Sequence, residues 1–185
     1  MDLKTSPLLK PPSQDKGSVF LVKKAEDRRA SDRSEIGKST WTLSRFKHGS
    51  ITSNQPLILD IVRIIKDGLE ASGYQVNLVE QPSGSASPVL KIGIEIFAFE
   101  MWSGPLGYVM IDGQIALSLA IQDKDGRNLQ SRIFTGSGQA SCWCCGCADK
   151  IEDAIEQSLN TVMMETKQWY LSESFRKTMG LAAHF

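Results

Sequence analysis

Histidine is almost missing from this chain of 185 residues, with only His48 and His184 present. A Ser-His-Asp triad or a histidine-rich zinc site is therefore poorly supplied. His48 sits in a polar stretch and His184 one residue from the C-terminus, positions that suit solvated or structural imidazoles. Net charge is missing too, because 21 basic residues cancel 21 acidic ones. No strong field would steer the chain to nucleic acid or to anionic lipid. No apolar run approaches the roughly 18 residues of a membrane helix. The opening Met1-Asp2-Leu3-Lys4-Thr5-Ser6-Pro7 lacks the apolar segment of a signal peptide. Two readings of that start stand side by side: Met1 is the native start of a cytosolic chain, or Met1 replaces a removed signal. Cysteine is absent outside one six-residue stretch, Cys142-Trp143-Cys144-Cys145-Gly146-Cys147.

What is present reads as a scaffold. A hydrophobic share of 41% fills a core of ordinary size, and the length suits one domain. Residues 1–16, rich in Pro, Lys, Ser and Asp, read as a flexible tether that cannot bury enough apolar surface to fold alone. A single domain is expected over 17–185. Val19-Phe20-Leu21-Val22 predicts a short buried strand, and the weak alternation of Trp41, Leu43 and Phe46 allows a hairpin over 38–51. Pro56 opens a helix whose stripe is Ile58, Ile61, Val62, Ile65 and Leu69, and Gly73 ends it as a left-handed cap. A strand follows over 74–79.

A three-strand meander comes next. In its first strand Leu90, Ile92, Ile94, Ile96 and Ala98 are expected on one face, with Lys91, Gly93, Glu95, Phe97 and Phe99 on the other. After the turn at Ser103-Gly104-Pro105, the second strand sets Ile115, Leu117, Leu119 and Ile121 against Gln114, Ser118 and Gln122. Asp123-Lys124-Asp125-Gly126 turns the chain again, since Asp-Gly accepts the positive φ of such hairpins. The third strand runs from Leu129 to Ala140, interrupted near its end by Gly136-Ser137-Gly138. Asp149 begins a last helix, with Ile151, Ala154, Ile155, Leu159 and Val162 as its stripe, extending to about Met179. The fold class is α+β: two main helices on one face of an antiparallel or mixed sheet.

The cysteine stretch joins the last strand to the last helix and is where the residues suggest chemistry. Cys142, Cys144, Cys145 and Cys147 could present thiolates to a soft ion such as zinc or copper, although the span is too short for the usual two-knuckle zinc site. Disulfides are the alternative, which an even count in an oxidising compartment favours; a bond between adjacent Cys144 and Cys145 is strained, and Cys142 to Cys145 or Cys147 is easier. Unpaired thiols are the third reading. The Cys-x-x-Cys spacings overlap and follow a meander instead of a βαβ unit, which disfavours a thioredoxin-like activity.

A strand leading into Asp27-Arg28-Arg29, then Ile36-Gly37, then a helix ending at Ser72-Gly73-Tyr74-Gln75-Val76, then a meander and a C-terminal helix: this order resembles the YajG-like lipoprotein family of bacterial envelopes, over roughly residues 18–180. The resemblance implies an envelope location at the periplasmic face of the outer membrane, anchoring through a lipidated cysteine that would precede this sequence, and no defined catalytic residues. The four-cysteine loop is not part of that family's pattern.

Other features are weighed in turn. Asp27, Arg28, Arg29, Asp32 and Arg33 read as a solvated face or internal ion pairs, with partner binding as the rival account. Gly136-Ser137-Gly138 lacks the lysine and spacing of a phosphate loop. Met163-Met164 and Trp169-Tyr170 suit packing better than a cofactor box. Phe97, Phe99 and Trp102 are expected on the second sheet face, as a second core or as a partner surface through which the chain binds proteins or itself. The function expected is a non-catalytic envelope lipoprotein-like binding or assembly module, with no cofactor and no nucleic acid. The competing class is a cytosolic metal-binding or thiol-redox protein built on the Cys142–Cys147 loop.

Overall fold

The computed structural model of the chain describes residues 16–29, 35–41, 47–52, 57–81, 87–143 and 147–181. The expected tether lies outside them except for Lys16, whose N–H donates to the Gly73 carbonyl at 2.9 Å. Eight strands form one mixed sheet: β1 (Ser18–Val22), β2 (Glu26–Asp27), β3 (Glu35–Trp41), β4 (Lys47–Thr52), β5 (Gln75–Val79), β6 (Val89–Ser103), β7 (Tyr108–Gln122) and β8 (Asn128–Trp143). Among the described residues three α-helices accompany it, α1 (Leu57–Ala71), α2 (Ala148–Tyr170) and α3 (Glu173–Thr178), and a short 3-10 turn at Pro105–Gly107 joins β6 to β7.

The long strand β6 is the axis of the sheet. Along one flank it takes β1, β2 and β3 in turn, all parallel to it. Its other flank carries β7 antiparallel, and β7 carries β8. From β1 the sheet extends to β5 in parallel, and from β3 to β4 antiparallel. The sheet is thus mixed, and its antiparallel parts are the expected meander and the β3–β4 pair.

α1 buries Ile61, Val62, Ile65 and Leu69 as its spacing predicts, with Ile64 joining them and Ile58 partly buried. Each such side chain contributes about 1.5–3 kcal/mol by leaving water. Ion pairs Asp60–Arg63 and Lys66–Glu70 occupy its solvent side, and Gly73 stops it at φ 98°. α2 buries Ala154, Ile155, Leu159 and Val162. Gly136 and Gly138 lie in the regular run of β8, opposite Ile115 and Gly113. They let the sheet meet the backbone of α2: a Cβ at Gly136 would collide with the Ser158 carbonyl, and one at Gly138 with the Ala154 carbonyl. Gly68 does the same between helices, where a side chain would strike the end of Met163.

The last helix is shorter than its apolar pattern suggests. α2 stops at Tyr170, and Ser172 caps a separate α3 by accepting from the Phe175 N–H at 3.2 Å. This break folds Phe175 back onto Trp169, with ring centroids 4.8 Å apart, and onto Tyr74 at 5.8 Å. Tyr74 then donates its hydroxyl to the Tyr170 carbonyl at 2.5 Å, locking β5 to the end of α2.

One irregularity in β6 reverses part of the expected facing. Leu90, Ile92 and Ile94 are buried as predicted, opposite Ile121, Leu119 and Leu117. But the register passes from Ile94↔Leu117 to Ile96↔Ala116, so Glu95 is an extra residue in β6. Such a bulge exchanges the two faces from that point on. Phe97 and Phe99 therefore turn into the core, 3% and 1% exposed, and Ile96 turns outward. Their assignment to an outer partner surface is corrected accordingly. The bulge is pinned by charge. Glu95 accepts from the Ser118 hydroxyl at 2.5 Å and from Arg28 at 3.0 Å, and Gly93 supplies the room, since a Cβ there would strike the Ser118 oxygen.

Candidate functional site

The cysteine loop closes one end of the molecule. Cys142 occupies the penultimate position of β8, and Cys147 is the N-cap of α2. The two form a disulfide with their Cα atoms 5.9 Å apart. Cys144 and Cys145 lie outside the described residues. The bond fixes the end of the last strand to the first turn of the last helix, and it removes two of the four sulfurs as thiolate ligands. Among the described residues no group of three or more His, Cys, Asp or Glu side chains could hold a metal ion. His48 falls in β4, and His184 lies outside the described residues.

The outer face of the meander, opposite the helices, ends beside this disulfide. There Trp102 of β6 stands opposite Met110 of β7, and Tyr108 of β7 opposite Trp143 of β8. Tyr108 and Trp143 meet edge to face with centroids 5.1 Å apart. Trp102 is 37% exposed, Met110 44% and Trp143 68%. The turn between β6 and β7 adds Leu106, 88% exposed and held at φ 67°. A leucine in the left-handed region costs about 1–2 kcal/mol, since its Cβ crowds the following carbonyl. The chain thus presents an apolar side chain at a strained tip next to two exposed tryptophans. An exposed apolar grouping of this kind marks a contact surface.

Of the three aromatic residues read from the sequence as a partner surface, Trp102 alone faces outward. Tyr108, Met110 and Trp143 were missed. The signal for the first two was present, since Tyr108 and Met110 alternate with Val109 and Ile111 in the phase that continues to Gln114. Trp143 was hidden by its cysteine neighbours.

The charged segment after β1 is an ion-pair network. Arg29 and Asp27 pair through two hydrogen bonds of 2.9 and 2.7 Å, with both side chains 3% exposed. Arg28 bridges Glu26 at 2.6 Å and Glu95 at 3.0 Å, and Lys91 reaches Glu26 at 2.5 Å. These hydrogen bonds, that from Lys91 first, hold the Glu26 carboxyl below its ordinary range. Asp32 and Arg33 lie outside the described residues. A cavity of about 620 Å³ opens here, beyond the last residues of β1 and β5, lined among others by Lys24, Glu26, Arg28, Glu80 and Lys91. Its lining holds three acids and three bases, so it offers a ligand no surplus of either charge.

No protein-family model matches this sequence. No curated protein is similar to it at a significant level. Solved structures are similar in fold. A protein from Xanthomonas campestris described under the family model DUF330 superposes with a TM-score of 0.55 at 15% identity, covering 95% of this chain and 94% of that one. The likeness is one of fold. A PelC dodecamer from Paraburkholderia phytofirmans aligns over 82% of this chain and 93% of its own at 14% identity, with a TM-score of 0.38, too low to support an argument.

Proposed function

We propose that this chain is a non-catalytic binding and assembly module of a bacterial cell envelope, of the YajG-like lipoprotein type, held at the periplasmic face of the outer membrane through an N-terminal lipid anchor. The observation that carries the binding role is the apolar end of the outer sheet face, where Trp102, Leu106, Met110 and Trp143 stand exposed together. A packed fold has no internal use for a leucine at a strained tip beside exposed tryptophans. The Cys142–Cys147 disulfide supports the compartment, since such bonds persist in oxidising surroundings and are rare in the cytosol. The same bond weakens the cytosolic metal or thiol reading, which draws on those sulfurs. The occupant of the apolar end is a protein surface, because its aromatic and thioether side chains are the types enriched where proteins meet.

The test uses the full-length gene expressed in its source cell. Fractionation is expected to place the product in the envelope, with Cys142 and Cys147 resistant to alkylation until reductant is added. A photo-crosslinking residue in place of Met110 is expected to give a discrete protein adduct, lost when Leu106→Asp is added. A cytosolic product with both thiols freely labelled, or the absence of any adduct from position 110, would overturn the proposal.

A further inference from the structure

The strand β8 is an edge. It pairs with β7, and its other side has no strand partner among the described residues. An edge this long normally carries a device against pairing: a lysine, a proline, an inward charge or a bulge. Over the eleven residues Ile133 to Trp143 the sequence is Ile-Phe-Thr-Gly-Ser-Gly-Gln-Ala-Ser-Cys-Trp, without charge or proline. Its register against β7 is unbroken from Gln130 to Trp143. Among the described residues the one guard over this stretch is a side chain of α2: Gln157 accepts from the outward-turned N–H of Gln139 at 3.2 Å. By the alternation of an antiparallel ladder, Ile133, Thr135, Ser137 and Ser141 send their N–H and C=O groups the same way. A shallow cleft of about 720 Å³ spans this edge, lined by Thr135–Gln139 of β8, by Asp112, Gly113 and Gln114 of β7 and by Gln157 and Thr161 of α2.

We infer that the β8 edge is the docking site for β8 of a second copy, the two strands pairing antiparallel about a two-fold axis at Gly138. The inference deepens the assembly reading above by naming its surface. Three observations select a second copy as the occupant. First, in this register Ile133 stands opposite Trp143 of the other strand, and the reverse, so the two large exposed side chains of this stretch, at 64% and 68%, cover one another twice. Second, the remaining pairs are Thr135 with Ser141 and Ser137 with Gln139, small or uncharged side chains that pair with themselves without repulsion. Third, a two-fold axis normal to the sheet keeps both helices on one face and brings α2 toward its counterpart along a stripe on the β8 side. Gln157, Thr161, Met164 and Gln168 recur there at helical spacing, with Glu165 beside them and Lys150 a heptad before, and Met164 is 58% exposed. Pairing gives up the bond from Gln139 to Gln157 in each copy and gains a continuous ladder across the axis.

The experiment is sedimentation equilibrium of the purified chain, with amide hydrogen exchange read as a function of concentration. Wild type is expected to dimerise, with the Thr135 and Ser137 amides gaining protection as concentration rises. Ile133→Lys is expected to weaken the dimer more than ten-fold. Gln157→Ala, which opens the edge, is expected to tighten it several-fold, a gain that damage to the fold would not produce. Trp102→Ser and Leu106→Asp, separated from the edge strand by β7, are expected to leave it unchanged. A dimer weakened by Trp102→Ser or Leu106→Asp but indifferent to Ile133→Lys and Gln157→Ala would overturn the edge and leave assembly through the apolar end standing. A monomer at every concentration, with no change in protection, would overturn self-pairing altogether while leaving a heterologous partner at position 110 open to the crosslinking test.

Discussion

The bulge at Glu95 makes a parity prediction that four substitutions can decide. An unbroken strand would bury Ile94 and Ile96 and expose Phe97 and Phe99. The observed strand buries Ile94, Phe97 and Phe99 and turns Ile96 outward. Ile94 is fully enclosed, so Ile94→Ala should cost about 2–5 kcal/mol in lost transfer energy and cavity. Phe97→Ala and Phe99→Ala should each cost about 3–5 kcal/mol. Phe99 should lie at the upper end. Its ring covers Gly113, where no side chain can fill the void, and meets Phe97 edge to face with centroids 5.5 Å apart. Ile96, partly open to solvent, should cost about 1 kcal/mol when truncated, by its smaller buried area. Urea unfolding followed by far-UV circular dichroism gives these values as midpoint shifts at constant slope. If Phe99→Ala fails to fold, Phe99→Leu keeps most of the volume and still reports the side of the sheet. Equal losses for Ile94→Ala and Ile96→Ala, with both phenylalanine variants within about 0.5 kcal/mol of wild type, would refute the bulge and restore the simple alternation.

Other outcomes follow from single contacts. Gly138→Ala drives a methyl into the Ala154 carbonyl and should lower stability by about 1–3 kcal/mol, while Ser137→Ala beside it changes little; equal effects in urea melts would deny the close approach of α2. Asp27→Asn removes the carboxylate from the buried Arg29 guanidinium and should cost about 3–5 kcal/mol, more than replacing both residues by apolar ones of similar size, and the same urea melts rank the two variants. Burial holds the Tyr74 hydroxyl above its ordinary value of 10.0, with Arg176 opposing. The folded state therefore keeps that proton more tightly than the unfolded chain. This stability is fully present below pH 10 and is lost as pH rises past it; Tyr74→Phe should lower stability by about 1 kcal/mol at neutral pH and flatten the alkaline loss, as read from melts across that range.

Most of the architecture was legible because it rests on two periods. The helical stripe from Ile61 to Leu69 and the alternation from Ile115 to Ile121 both survive intact in the core. Where the reading failed, a local chemical event had interrupted a period. Glu95 is invisible to alternation because its extra place in β6 is held by Arg28 and Ser118, partners far away in sequence. Ser172 looked like one more polar residue in a helix, yet its hydroxyl restarts the chain as α3 and turns Phe175 into the aromatic cluster. The glycines of Gly136-Ser137-Gly138 looked like an interruption, because a single strand gives no hint that a helix backbone will press against it.

The same logic explains why the candidate site was only half visible. Of the expected aromatic surface, Phe97 and Phe99 precede Trp102 in the same strand, and all three were assigned one face. Trp102 is outward because the bulge placed the whole later half of β6 in a new phase, so even positions there face solvent. That phase continues across the hairpin. Trp102 meets Met110, Tyr108 meets Trp143, and the odd residues of β8 fall on the same outer face. By holding Glu95 out of the pairing, the bulge keeps two phenylalanines off the surface and aligns Trp102, Met110 and Trp143 at the end where the Cys142–Cys147 bond holds β8 against α2. With Glu95 present, the exposed apolar end depends on the bulge as much as the core does. Deleting Glu95 would remove the bulge yet keep Phe97 and Phe99 inward and Ile96 and Trp102 outward, because Ile96 would then follow Ile94 in plain alternation; urea melts should show the fold and the contact surface retained, with only the Arg28 and Ser118 contacts to Glu95 lost.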